Sequence, residues 1–227
     1  VTLPFDLSIA LGLLGWGTLV GLDLVSVPQM MISRPLVAGT IAGAIAGDVA
    51  SGMRVGLLLE LFALDVLAVG AARYPDYGPA TVVASAFAAA SPGAWQVVLG
   101  PAALLGLLLA RLGGWTLPYL RHANARVVQL HSAELAAGEL GRIEAIHWLS
   151  LIRDAVRSFA LTGFGLLLVA LWLRIPTHGE WLPAIAAVGA AMAAAWNGAV
   201  RTAGRGLRLT WVEAGAVAGL LWAVWAR

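Results

Sequence analysis

Two residue types are missing altogether from the 227 residues, cysteine and lysine. Without cysteine there are no disulfides, thiolate metal sites, iron–sulfur clusters or thiol nucleophiles, and the redox compartment leaves no trace in the chain. All 14 basic residues are arginine. That excludes a Schiff-base lysine, and with it a retinal pump, and also a G-x-x-x-x-G-K-[ST] nucleotide loop. The four histidines, His122, His131, His147 and His178, show neither H-x-x-x-H nor H-E-x-x-H spacing, so no metal site is expected. No Ser/His/Asp triad stands out, and neither a catalytic residue nor a cofactor is expected on this chain. Charge is scarce as well: 11% of residues are charged against 60% hydrophobic, with a mean hydropathy of +0.87. An ordinary soluble globular domain is excluded on that balance. The net charge of +2 reflects arginines near loop ends, not a nucleic-acid patch. Val1–Val27 lacks a basic start and an A-x-A site, and reads as a mature first segment and not a cleaved signal.

What the chain has in abundance is continuous apolar sequence rich in Ala, Leu and Gly. A membrane-crossing helix needs about 20 such residues, and no alternating barrel pattern appears. The expected class is all-α, a polytopic helical membrane protein with about eight apolar segments, near 7–26, 36–50, 53–72, 79–91, 95–111, 158–174, 182–199 and 209–226. Segments 36–50 and 79–91 are too short for a bilayer core of about 30 Å. Either they are re-entrant or broken helices lining a cavity, or they extend into flanking residues and span. Between Arg111 and Arg157 the composition turns polar, with apolar residues recurring at helical spacing. This gives three parts: an N-terminal membrane half (1–110), an amphipathic cytosolic or interfacial connector (111–157) and a C-terminal membrane half (158–227). The arginine-rich connector and loop Arg201–Arg208 are expected on the cytoplasmic side. Loop Ile175–Trp181, bracketed by Trp172 and Trp181, is then external.

Polar residues inside this apolar sequence are the candidates for function. From Ser33 to Gly78 the glycines fall in register, with Gly39, Gly43 and Gly47 four apart, and Gly52 and Gly56 extended by Glu60. Small residues at that spacing let helices pack backbone to backbone. A carboxylate on the stripe must face a neighbouring helix or a polar cavity, because lipid penalises it by roughly 2.5–3.5 kcal/mol. Glu60 is therefore either a bracing carboxylate or a solute ligand. In Gly21–Arg34, Pro28 removes a backbone donor beside Asp23, Gln29 and Arg34. Paired donors and acceptors of this kind suit a sugar, and an ordinary membrane-exit loop has the same composition. Tyr74–Pro79 is a turn by residue type, suited to ring stacking plus hydrogen bonding through Asp76, or to interfacial anchoring. Glu144, His147, Leu151 and Asp154 share a helix face that reads as a solvated salt-bridge face. Asn197 reads as interhelical glue.

Arg34-Pro35-Leu36-Val37, Gly47-Asp48, Gly52, Gly56, Glu60-Leu61, Gly70-Ala71-Ala72 and Pro75-Asp76, in that order, resemble the IIC subunit of mannose/sorbose-type sugar phosphotransferase systems. Ile146-His147, Ser150-Leu151 and Arg157 resemble that family's second block, and the resemblance covers about residues 7–165. It implies a helical fold with inverted repeats and re-entrant hairpins, and a permease that binds a hexose or hexosamine through Glu60, Asp76, Gln29, Asp23 and Arg34. It further implies a IID membrane partner, soluble IIA and IIB phosphocarriers, a homotrimeric or hetero-oligomeric assembly, and a multi-pass location in the bacterial inner membrane. The family's mannose transporters usually carry an acidic residue and a Gln shortly before the R-P pair, whereas this chain has Pro28, Gln29, Met30 and Met31 there, with Asp23 further back. It also stops soon after Trp225, with no long tail. Two alternatives follow: a non-transporting scaffold that keeps the fold, or an ion-coupled transporter using Asp23, Glu60 and Asp65.

Overall fold

The structure, a computed structural model, describes residues 5–64, 66, 73–174, 187–192 and 205–225. The readings placed on Asp65, Gly70–Ala72, loop Ile175–Trp181, His178, Asn197 and Arg201 lie outside these residues. The chain is all-helical, with no strand among the described residues. The helices are α1 (Leu7–Asp23), α2 (Pro35–Ala46), α3 (Val49–Ala63), α4 (Tyr77–Ala90), α5 (Trp95–Leu130), α6 (Ser132–Ala136), α7 (Leu140–Trp172) and α8 (Arg205–Trp225).

The short segments stay short. Helices α2 and α4 have 12 and 14 residues, so at 1.5 Å per residue each reaches only about 18–21 Å. Neither extends into its flanks. α2 and α3 form a tight hairpin closed at Gly47–Asp48. Gly47 takes a left-handed φ of 89°, which a residue with a Cβ adopts only under strain. The Asp48 N–H then reaches back to the Gly43 carbonyl at 2.8 Å, and the Asp48 side chain caps α3 by accepting from the Ser51 N–H at 3.0 Å. The two glycine stripes face each other along this hairpin. A Cβ added at Gly43 would lie 2.8 Å from the Gly52 Cα, and one at Gly56 would lie 2.6 Å from the Pro35 carbonyl oxygen. No side chain fits between the two helices.

α4 is the centre of the bundle. Every residue from Gly78 to Ala88 is buried, and the helix packs against α1, α2, α3, α5 and α7. A helix buried all round shows no amphipathic stripe, and α4 is accordingly uniform in Ala, Val and small polar residues. α1 lies on α7, with Gly17 and Gly21 of α1 set directly against Thr162 and Ser158. The Trp16 indole N–H ties α1 to α2 by donating to the Ala38 carbonyl at 2.9 Å.

Among the described residues, α5 and α7 are long and apolar enough to cross a membrane. They present Leu104, Leu108, Phe164, Leu167 and Leu171 on the outer surface, as a lipid-facing side requires. With 36 and 33 residues they run about 50 Å and outreach a bilayer core of about 30 Å. Their polar ends and α6 lie between the two apolar stretches, and no residue from 121 to 153 is buried.

Candidate functional site

Two irregular stretches interrupt the apolar helices, and the fold brings them together. The first is the loop from Leu24 to Arg34. Asp23, the last residue of α1, is buried, and its carboxylate organises this loop by accepting from the Met30 N–H (2.7 Å), the Ser33 N–H (2.9 Å) and the Ser33 hydroxyl (2.8 Å). The gap in sequence between Asp23 and the Arg34-Pro35 pair is thus closed in space. Met31 takes a left-handed φ of 63° to make the turn. Gln29 donates to the Leu24 carbonyl at 3.3 Å.

The second stretch is Arg73–Tyr77. It lies flat on α5 because α5 has no side chain there. A Cβ at Gly114 would sit 2.5 Å from the Tyr74 carbonyl oxygen, and one at Gly113 would sit 2.8 Å from the Asp76 Cβ. The Asp76 N–H donates to the Ala110 carbonyl at 2.9 Å. Tyr74 is held by Arg121, which donates to the phenol oxygen at 2.9 Å and lies 5.3 Å over the ring.

Between these stretches lies a cavity of about 250 Å³. Asp23, Gln29, Ser33 and Arg34 line one wall, Tyr74, Tyr77 and Gly78 another, with Ala63 and Val66 beside them. The volume is just under the roughly 300–1,000 Å³ of drug-sized pockets, as suits a smaller solute. The lining is largely apolar, with Leu24, Met31, Pro35 and Pro75 beside the two tyrosines, and it carries four polar residues, Asp23, Gln29, Ser33 and Arg34.

Glu60 stands behind this surface, outside the lining. Its carboxylate pairs with the Arg34 guanidinium and accepts from the Leu36 N–H at 3.1 Å. Leu36 is in the first turn of α2, whose free N–H groups favour a negative charge. Glu60 therefore caps α2 across the hairpin and aims Arg34. The pair is not sealed: the Arg34 side chain is 35% exposed and that of Glu60 16%.

Asp76 is enclosed completely and does not reach the cavity. It belongs to a buried polar cluster. Arg157 donates to Asp76 at 2.8 Å, to Asp154 at 2.7 Å, and to the Thr116 and Ser158 hydroxyls at 3.2 Å each. The Ser26 hydroxyl bonds the other oxygen of Asp154. The cluster thus clamps both stretches, one through Ser26 and the other through Asp76, onto α7. The solvated face expected around His147 ends before Asp154, which is fully buried.

Sequence reasoning singled out Asp23, Gln29 and Arg34, which the cavity gathers, and Glu60, one residue behind it. It passed over Ser26 and Thr116 and the Gly113–Gly114 pair, and it read Asp154 as solvated. That pair carried a signal: adjacent glycines inside a helix cost roughly 0.5–1 kcal/mol each, which asks for a close approach in return.

A family model described as the sorbose-specific IIC component of the phosphotransferase system matches residues 8–174. The chain belongs to that family. As a IIC protein it is a membrane component of a sugar phosphotransferase system and works with other components of that system. A solved structure described as "Structure of membrane protein" is similar to this IIC chain at a TM-score of 0.73 and 22% identity, covering 94% of this chain and 86% of that one. At that identity the likeness is one of fold. No curated protein matches the IIC sequence significantly.

Proposed function

We propose that this IIC chain is the sugar-translocating subunit of a mannose-type phosphotransferase system, and that the 250 Å³ cavity holds a hexose or hexosamine. The observation that carries the reading is the convergence of the 23–34 and 74–78 stretches on one space that gathers Asp23, Gln29, Ser33 and Arg34 beside two tyrosines within an apolar bundle. Asp23, Gln29, Ser33 and Arg34 offer the donors and acceptors that ring hydroxyls need, and Tyr74 and Tyr77 offer apolar faces for a pyranose. Glu60 acts through Arg34, fixing the guanidinium while screening its charge. Asp76 acts by holding the second wall in place.

In this reading the chain spans the bacterial inner membrane several times, with the connector on the cytoplasmic side. A IID-type membrane subunit completes the complex, in a trimeric or hetero-oligomeric assembly. Soluble IIA and IIB proteins bring phosphate to the sugar as it emerges. Closure of the cavity is a rigid-body shift of one helical group against another, and the α2–α3 hairpin, packed backbone to backbone along its glycine seam, is one such group.

Binding of labelled hexoses and hexosamines to the purified complex in liposomes tests this. At least one sugar binds, and Arg34→Gln or Gln29→Ala weakens it at least ten-fold with assembly intact. Sugar binding indifferent to both changes sinks the cavity assignment. A complex with unrelated membrane proteins and no sugar affinity points instead to the scaffold, and proton-dependent uptake without a phosphate donor points to the ion-coupled transporter.

A further inference from the structure

A second, smaller cavity, of about 130 Å³, lies on the other side of the Tyr74–Pro75 turn. It is lined by Arg73, Tyr74, Pro75, Arg111, Gly114 and Trp115. We propose that it is a binding site for a phosphate group.

The two arginines carry the inference. Neither guanidinium has an ion-pair or hydrogen-bond partner among the described residues, in contrast to Arg34, Arg142 and Arg157, which all pair with carboxylates. Nothing on α5 compensates them: its 36 residues include Arg111, Arg121 and Arg126 but no Asp or Glu. Asp76, three residues from Arg73, is enclosed and committed to Arg157. Two positive groups lining one small space favour an anion between them. The planar fork of arginine matches phosphate oxygens better than it matches a sugar hydroxyl. Gly114 lets the turn lie directly on α5, where a Cβ would lie 2.5 Å from the Tyr74 carbonyl oxygen, and so holds Arg73 beside Arg111. Trp115 gives it an aromatic side.

The position adds meaning. Tyr74 and Pro75 line both cavities, so the turn is a shared wall between a polyol-type surface and an anionic site. On the permease reading, the phosphate is that of the phosphorylated sugar on its way out, and this part of the inference rests on that reading. The same chemistry is offered by a phospholipid head group, and both sources are phosphate esters.

The test uses the purified IIC complex in phosphate-free detergent, titrated calorimetrically with inorganic phosphate and with hexose 6-phosphates. Both classes bind, and the double variant Arg73→Gln/Arg111→Gln weakens them at least ten-fold while neutral hexose affinity moves less than two-fold. Both side chains are exposed, so the variant keeps the wild-type melting temperature, and Arg73→Lys/Arg111→Lys recovers part of the affinity. Native mass spectrometry from nanodiscs containing phosphatidylglycerol forms the second arm. Lipid retained through the same two arginines, and displaced by phosphate, assigns the site to a head group. The proposal is overturned if neither phosphate nor phosphatidylglycerol binds, or if binding ignores both substitutions. Phosphate binding with no neutral-sugar binding would leave this site standing and bring down the permease reading instead.

Discussion

Two arginine–carboxylate constellations hold this protein's functional region, and they are built on opposite terms. Arg157 with Asp76 and Asp154 is closed to solvent, with side-chain exposures of 9%, 0% and 0%. Arg34 with Glu60 is open at one side, at 35% and 16%. The closed set has two carboxylates on one guanidinium, with hydroxyls of Ser26, Thr116 and Ser158 around them, and all its polar capacity is turned inward. The open set leaves part of Arg34 facing the cavity. Burial thus separates a fastening from an open contact: the same pair chemistry ties two loops to α7 in one place and leaves a charge on a cavity wall in the other.

Removing a partner should separate the two most sharply. Arg157→Leu leaves two carboxylates without their counter-charge in a dry site, and breaking a buried pair from one side costs about 3–5 kcal/mol. A large fall in melting temperature in detergent is expected, with the complex poorly assembled. A wild-type melting curve would show the cluster to be dispensable and erase the contrast. Ser26→Ala is the gentler probe. It deletes one hydrogen bond to a charged group, worth about 1.5–3 kcal/mol, and loosens the first loop without touching the cavity wall. Sugar affinity is expected to fall together with stability, and affinity unchanged in a destabilised protein would detach the cluster from the site. The smallest stability effect is expected at Glu60→Gln. The amide oxygen still accepts from Leu36, and a partly exposed pair contributes about 1 kcal/mol or less. Yet uptake should be abolished while the protein stays inserted and assembled, because Arg34 loses its counter-charge and its aim. Undiminished uptake in that variant removes Glu60 from the functional account.

Much of the scaffold was legible before any coordinates. Glycines at every fourth position of an apolar run announce a helix pair without side chains between, and Gly39, Gly43, Gly52 and Gly56 meet in that way. Segments too short for a bilayer left two readings open, a broken helix or extension into the flanks, and α2 and α4 stay short at 12 and 14 residues. The two loops were visible as polar interruptions. What could not be read was who pairs with whom. Arg34 and Glu60 are 26 residues apart, Asp76 and Arg157 are 81, and Ser26 and Asp154 are 128. Helical periodicity relates neighbours within a turn or two and carries no information over such separations. The face of Asp154 misled for a related reason. Its companions Glu144 and His147 are solvated, and only the packing of α1 and the 24–34 loop onto α7 draws Asp154 inside.

The wholly enclosed α4 bears on how the molecule is made. At 14 residues it falls short of a bilayer's hydrocarbon thickness, and with Thr81 and Ser85 in its middle it has little to offer acyl chains. Such a helix is fully sheltered only when its five neighbours surround it. Two of them, α5 and α7, are synthesised after it. During biogenesis α4 therefore has only α1 and the α2–α3 hairpin to cover it until the two long helices are made.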